Sequence, residues 1–270
     1  MKTIQEDVYK LDGIETTLLS TVAGRAISSK KGRWIHDPVS EELYERLSPY
    51  MEEKYNKRGL NGVALRCKLF DDWIRDFLSS APDAVCIYAG AGLDPRFQRV
   101  DNGRLLWYNV DLKDAIGFRN HLLPESERER NIEGDVFDTG WLAEIKEGNR
   151  PVLIIMEGML QYFTSEEVAK VLKNLADRFS GARIIIDILS DDFLVDEKMV
   201  KRMSPAGTTF QWGVHHPSEV TALDGRYRLK RHLRTSEVFK RQSLFMRIVA
   251  SIPKVRRMCG FIAMYVVDKG

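Results

Sequence analysis

The 270-residue sequence predicts an α/β protein in which a helical N-terminal segment precedes an open sheet buried on both faces. Three observations lead there. Short apolar runs recur at Val85–Ala89, Leu105–Val110, Val152–Met156 and Arg183–Leu189, separated by helical or loop segments, as in parallel strands joined by crossovers. Before about Ser80, apolar residues instead recur at helical spacing. The first apolar run also ends in Gly90-Ala91-Gly92, a glycine turn at the carboxyl end of a strand, where open α/β sheets admit a ligand.

The helical spacing covers Ile14–Ile27, Val39–Tyr55 and Val63–Leu78. Asp37-Pro38 marks a helix start, and Arg58-Gly59 with Asn61-Gly62 predicts a break before the third helix. A third strand ends within Asn131–Val136, and the fourth runs from Pro151 to Met156. Ser165–Phe179 predicts a helix capped by Thr164 or Ser165, with Glu166 and Glu167 in its first turn and Ser180-Gly181 after its end. From Asp191 to Asp224 no period holds, and the aromatic content of so long an insertion predicts a cover over a site. Tyr227–Leu233 and Phe261–Val267 predict two closing strands with one amphipathic basic helix between them. The expected division is a helical cap over 1–80 and a sheet domain over 81–270, with a lid at 191–226.

A chain that is 44% hydrophobic buries a full core, and 30% charged residues solvate its surface. With 41 basic and 39 acidic residues the net charge is +2, which argues against nucleic acid as an obligatory partner. Basic clusters at Arg226–Arg234 and Lys240–Arg257 are read as solvated faces. Cys67, Cys86 and Cys259 form no Cys-x-x-Cys pair, so a reduced cytoplasmic protein without structural zinc is expected. The first residues carry no apolar signal segment, and no run is long enough for a membrane span, so no membrane partner is expected.

Candidate site residues lie at successive strand ends. Asp111 closes the second strand about twenty residues past the glycine turn, placed to take both hydroxyls of a ribose. Asp135 can accept from an exocyclic amine while Val136 lies against the ring, and Glu157 follows the fourth strand at the same rim. A dinucleotide fingerprint would need a third glycine where Pro95 stands, for close helix packing. An acid-rich crevice suits a cationic ligand containing ribose and adenine.

Gly90-Ala91-Gly92-Leu93-Asp94-Pro95-Arg96, Val110-Asp111-Leu112, Gly134-Asp135-Val136 and Glu157-Gly158-Met159-Leu160-Gln161-Tyr162 resemble the successive motifs of the leucine carboxyl methyltransferase family, in its bacterial polyketide O-methyltransferase branch. Phe210–Gly213 and Trp34–Pro38 also resemble that branch, and the likeness runs from about Glu15 to about Leu233. It implies a class I, Rossmann-like methyltransferase fold with a mostly parallel seven-stranded sheet and a lid after the fifth strand. The implied cofactor is S-adenosylmethionine, approached by Gly90 and Gly92. Asp111 takes its ribose, Asp135 and Val136 its adenine, and Glu157 its amino acid end. Arg66 matches a helical arginine that contacts cofactor and substrate carboxylate, and Arg25 a basic residue of the first helix.

Ala91, Pro95 and Gln161 depart from the usual cysteine, threonine and methionine, and Gln161 makes the substrate wall more polar. Tyr162 is expected to touch a substrate carboxylate, Trp212 to line the acceptor cavity or pack the lid, and Arg96 to pair structurally with Asp94 or another acid. Of the adjacent His215 and His216, at most one faces an acceptor, and no third ligand makes them a metal site. The expected reaction is methylation of a small-molecule carboxylate, with Arg66 and Tyr162 as the catalytic pair. The alternatives are a phenolic hydroxyl, which calls for a base such as a lid histidine, and a protein C-terminal carboxylate. An NAD-dependent oxidoreductase and a non-catalytic binding module are the readings from other classes.

Overall fold

The computed structural model describes residues 17–50, 60–204, 208–240 and 243–268. In chain order the elements are α1 (Thr17–Lys30), α2 (Pro38–Leu47), α3 (Leu60–Ser80), β1 (Val85–Ala89), α4 (Arg96–Val100), β2 (Leu106–Asp111), α5 (Lys113–Leu122), β3 (Glu129–Glu133), β4 (Val152–Met156), α6 (Ser165–Arg178), β5 (Arg183–Ser190), α7 (Asp191–Leu194), α8 (Glu197–Met203), β6 (Gly213–Val214), α9 (Val220–Leu223), β7 (Tyr227–Arg234), α10 (Thr235–Phe239), α11 (Leu244–Val249), α12 (Pro253–Met258) and β8 (Phe261–Val267). The strands are ordered β3-β2-β1-β4-β5-β8-β7, with the short β6 paired to the end of β5. The pairs β2/β3 and β4/β5 are parallel, whereas β8 runs antiparallel to both its neighbours. β1 and β4 are buried at every position, as expected of strands covered on both faces. No helix among the described residues is long and apolar enough to cross a membrane.

The chain packs as two compact units whose boundary falls within β1. The first takes its described residues from 1–86, 91–135 and 147–150, and the second from 87–90, 136–146 and 151–270. In the first unit, Leu19 and Val22 of α1 and Leu43 and Leu47 of α2 share one apolar cluster with Leu93, Phe118, Leu122 and Leu123. Each such side chain contributes on the order of 1.5–3 kcal/mol on burial. That cluster fastens the N-terminal helices to the residue at the centre of the glycine turn.

The helix signals act as written in the sequence. The Asp37 carboxylate accepts from the Ser40 N–H at 2.8 Å, and Pro38 opens α2. Thr164 and Glu167 form a capping box on α6.

Three expectations are corrected. Asn61-Gly62 lie inside the start of α3 rather than before it, because first-turn N–H groups have no intrahelical partner to lose. Arg58-Gly59 falls outside the described residues. The helix expected over Val39–Tyr55 stops at Leu47 and gives way to a 3-10 turn, Ser48–Tyr50, at Pro49. The single basic helix expected before β8 is three short ones, broken at Ser243, which caps α11, and at Pro253.

Candidate active site

The first unit holds the glycine turn from several directions. Gly92 has a φ of +50°, the left-handed conformation that favours glycine, and a Cβ there would lie 2.3 Å from Cδ2 of Leu18, whose side chain would have to turn aside. The Asp111 carboxylate accepts from the Gly92 N–H at 2.7 Å. Arg119, fully buried on α5, donates from Nη1 to the carbonyls of Gly92 and Asp94, both at 2.9 Å. Its Nε donates to Asn131, and its Nη2 pairs with Glu129. Arg25 is also buried, and its Nη2 donates to the Leu93 carbonyl at 2.9 Å while Nε reaches Ser40. The turn is therefore fixed before any ligand arrives, which is what a preorganised binding loop requires.

Beneath it lies a closed set of buried charges. Arg99 donates to Asp37 and Asp71 at 2.7 Å and to Asp94 at 2.8 Å. Arg96 pairs with Asp71 at 2.8 Å and with Asp94 at 3.2 Å, the structural part expected of it. Burial alone would raise the Asp94 pKa, but Arg25, Arg99 and Arg96 overcome that and hold it far below the carboxylate range. Asp94 thus stays ionised inside the turn.

Two strand ends and one helix of this unit carry the expected cofactor groups. Asp111 accepts from the N–H of Leu112 at 2.8 Å as well as from Gly92. A carboxylate offers about four lone-pair sites, so two remain for a pair of vicinal hydroxyls. Burial pushes the Asp111 pKa up, and the two N–H groups partly oppose the shift. The Gly134 N–H donates to the Asp111 carbonyl at 2.9 Å, which ties the loop carrying the exposed Asp135 to the end of β2. On α3, Arg66 lies on a half-buried row with Val63, Leu69 and Trp73, so it is neither a solvated surface arginine nor a core residue.

The second unit carries the remaining groups. Gly90 has a φ of +72°, and a Cβ on it would stand 3.0 Å from the sulfur of Met159. Val136 is half-buried, and its neighbour Phe137 packs edge-on against Phe163 at 4.7 Å. Glu157 follows β4 and is buried. The next residue is fixed by Asp187 of β5, whose carboxylate accepts from the Gly158 N–H at 2.7 Å.

Tyr162 ends a 3-10 turn, and its ring lies 5.3 Å from Phe210, which in turn lies 5.9 Å from Phe193. The backbone N–H groups of Gln211 and Trp212 donate to the Gln161 carbonyl, and the Gln211 side chain donates to that of Tyr162 at 2.6 Å. The segment 210–212 is thereby fastened to the loop after β4, with Trp212 buried. His215 is 71% exposed, with Nε2 3.5 Å from Asp191. His216 caps the next turn, its Nδ1 accepting from the Ser218 N–H.

Arg119 and Asp187 were absent from the sequence-derived site. Arg119 interrupts the apolar stripe Ala115, Ile116, Phe118, Leu122, and Asp187 interrupts the run Ile184–Leu189, so each carried the mark of a charge placed in a core.

A mostly parallel sheet in this order, with a glycine turn after β1 and acids at the following strand ends, is the architecture of class I methyltransferases. Magnesium protoporphyrin IX methyltransferase from Synechocystis, solved with bound S-adenosylhomocysteine, shares the fold at a TM-score of 0.52 and 15% identity, over 84% of this chain and 95% of that one. A DUF574 protein from Streptomyces avermitilis shares it at 0.56 and 13%, over 91% and 97%.

In sequence, the tetracenomycin polyketide synthesis O-methyltransferase TcmP of Streptomyces glaucescens is 28% identical over 78% of this chain and 79% of its own length. The S-adenosyl-L-methionine-dependent methyltransferase dpfgK of Gibberella zeae is 26% identical over 81% of each. The profile of the leucine carboxyl methyltransferase family matches residues 16–176. The chain belongs to that family, and it is an S-adenosylmethionine-dependent O-methyltransferase.

Proposed function

We propose that the enzyme methylates a carboxylate of a small, polyketide-like molecule. The observation that carries this reading is the state of the lid histidines: His215 is 71% exposed beside Asp191, and His216 is used as a helix cap. A phenol, with a pKa of about 10, calls for a base held against its hydroxyl, whereas a carboxylate with a pKa of about 4 is already ionised at neutral pH. Family membership and the likeness to TcmP support the acceptor class.

S-adenosylmethionine supplies an activated methyl group on a sulfonium. The chain's own residues bind, align and exclude water. In this proposal Asp111 accepts from the ribose hydroxyls, Asp135 and Val136 hold the adenine, and Glu157 takes the amino acid end at the backbone of Gly90. Arg66 and Tyr162 orient the acceptor carboxylate, and the aromatic group Tyr162, Phe210 and Phe193 supports a flat acceptor. The segment 191–226 is proposed as the lid and the helices before β1 as the cap.

Product chemistry provides the test. A methyl ester releases methanol on mild alkaline treatment, and an aryl methyl ether does not. The ester reading expects methanol release, together with a rate free of any histidine-dependent rise between about pH 6 and 8. A base-stable product whose formation rises over that range and is flattened by His215→Ala assigns the enzyme to phenols instead.

A further inference from the structure

We propose that the face built by α11 and α12 seats the protein on an anionic membrane surface. Leu244, Phe245 and Ile248 are 73%, 70% and 63% exposed, and Ile252 is 46% exposed. A turn joins α11 to α12, with the N–H groups of Ala250, Ser251 and Ile252 donating to Met246, Ile248 and Val249. Leu244 and Ile248 therefore lie on one side of α11 with Phe245 beside them, and Ile252 stands in the extended link to α12. Ala250 is buried on the opposite side, so the apolar row is not the face that packs on the protein.

Charge sets the occupant. From Val238 to Val267 the sequence contains no acid but carries Lys240, Arg241, Arg247, Lys254, Arg256 and Arg257. Arg247, Lys254, Arg256 and Arg257 are exposed, while Lys240 pairs with Glu237. Asp192, Asp196 and Glu197 line a cavity of about 520 Å³ with Lys254 and Arg257, so Arg247 and Arg256 are the exposed cations outside that acid-lined cavity. Arg234 has its pKa lowered, first by burial and then by the charge of Arg256.

Exposed Leu, Phe and Ile with interleaved Arg and Lys match an interfacial segment, whose apolar side chains enter the acyl boundary while cations meet anionic headgroups. No membrane span is required. A second copy on a twofold axis would bring the same cations against one another. A protein groove leaves its lining covered, whereas side chains at this exposure stand out from the surface and fit a fluid partner better.

The test is co-sedimentation of the full chain with phosphatidylcholine vesicles containing about a third phosphatidylserine, against phosphatidylcholine alone. Binding to the first, weak binding to the second and loss of binding at high salt are expected. Arg247→Gln and Arg256→Gln should each weaken binding about fivefold, the share of one basic residue at an anionic surface. A variant carrying Leu244→Ser, Phe245→Ser and Ile248→Ser should abolish binding, with an unchanged melting temperature because these side chains are exposed.

Absence of anionic-vesicle binding, or binding indifferent to the triple variant, overturns the proposal. A wild-type dimer that the triple variant makes monomeric, without vesicle binding, assigns the face to a second copy. Retention on a polyglutamate matrix without vesicle binding assigns it to an acidic protein.

Discussion

Asp111 holds two backbone N–H groups on its two carboxylate oxygens, which fixes the carboxylate plane and leaves acceptor capacity on both oxygens. Two charge-assisted hydrogen bonds to a ribose are worth roughly 2–4 kcal/mol. Asp111→Ala should weaken S-adenosylhomocysteine binding by that amount in calorimetry, and unchanged affinity in a folded variant would remove Asp111 from the site. Both glycines of the turn have positive φ but different neighbours. Gly90→Val places a branched side chain at a φ of +72° beside Met159, at about 1–3 kcal/mol of strain, and should abolish cofactor binding. Gly92→Ala puts a Cβ at a φ of +50° and turns the tip of Leu18 aside in its packing, so its first effect should be a lower melting temperature. If Gly92→Ala melted like the wild type and lost only affinity, the packing explanation would be wrong.

Arg119 links α5, β3 and the turn through one guanidinium, and no lysine supplies donors to four separate acceptors in fixed directions. Arg119→Lys keeps the charge but leaves buried acceptors without a donor, and should destabilise the protein by about 1–3 kcal/mol. It should also raise the KM for S-adenosylmethionine more than it lowers kcat, because the carbonyls of Gly92 and Asp94 lose their donor. An unaltered KM in the destabilised variant would make Arg119 purely structural.

The sequence separations explain why such braces were hard to read: Arg119 meets the turn across 25 and 27 residues. By contrast, burial on both faces writes each central strand as a continuous apolar run, and Thr164 with Glu167 marks α6 within four residues. The strands and the acids at their ends were therefore legible. The broken helices α10 to α12 were not, since their combined pattern keeps a helical period through breaks set by Ser243 and Pro253. Nor was β6, whose two residues are too short to show alternation.

The acid response of the molecule follows from how its carboxylates are placed. Asp101, beside Arg128, and Asp177, beside Lys173, are held below their ordinary pKa but stand in solvent, where screening leaves such pairs little influence on stability. Asp94 is different, because it is buried among Arg25, Arg96 and Arg99, whose guanidinium groups stay charged at every accessible pH. Its folded pKa lies far below the unfolded value of about 3.9. At neutral pH both states are ionised and the full stabilisation is present. As pH falls below about 4 the unfolded chain takes up a proton that the folded chain refuses, and stability declines with each further step. The melting temperature should therefore hold near neutrality and fall below about pH 4. Asp94→Asn should be less stable at neutral pH by about 3–5 kcal/mol, having left the arginines short of a counter-charge. It should also show a shallower decline on acidification. Circular dichroism melts of both proteins from pH 7 to 3 decide the matter: parallel curves would mean that the acid response arises elsewhere and that the buried set is silent in this range.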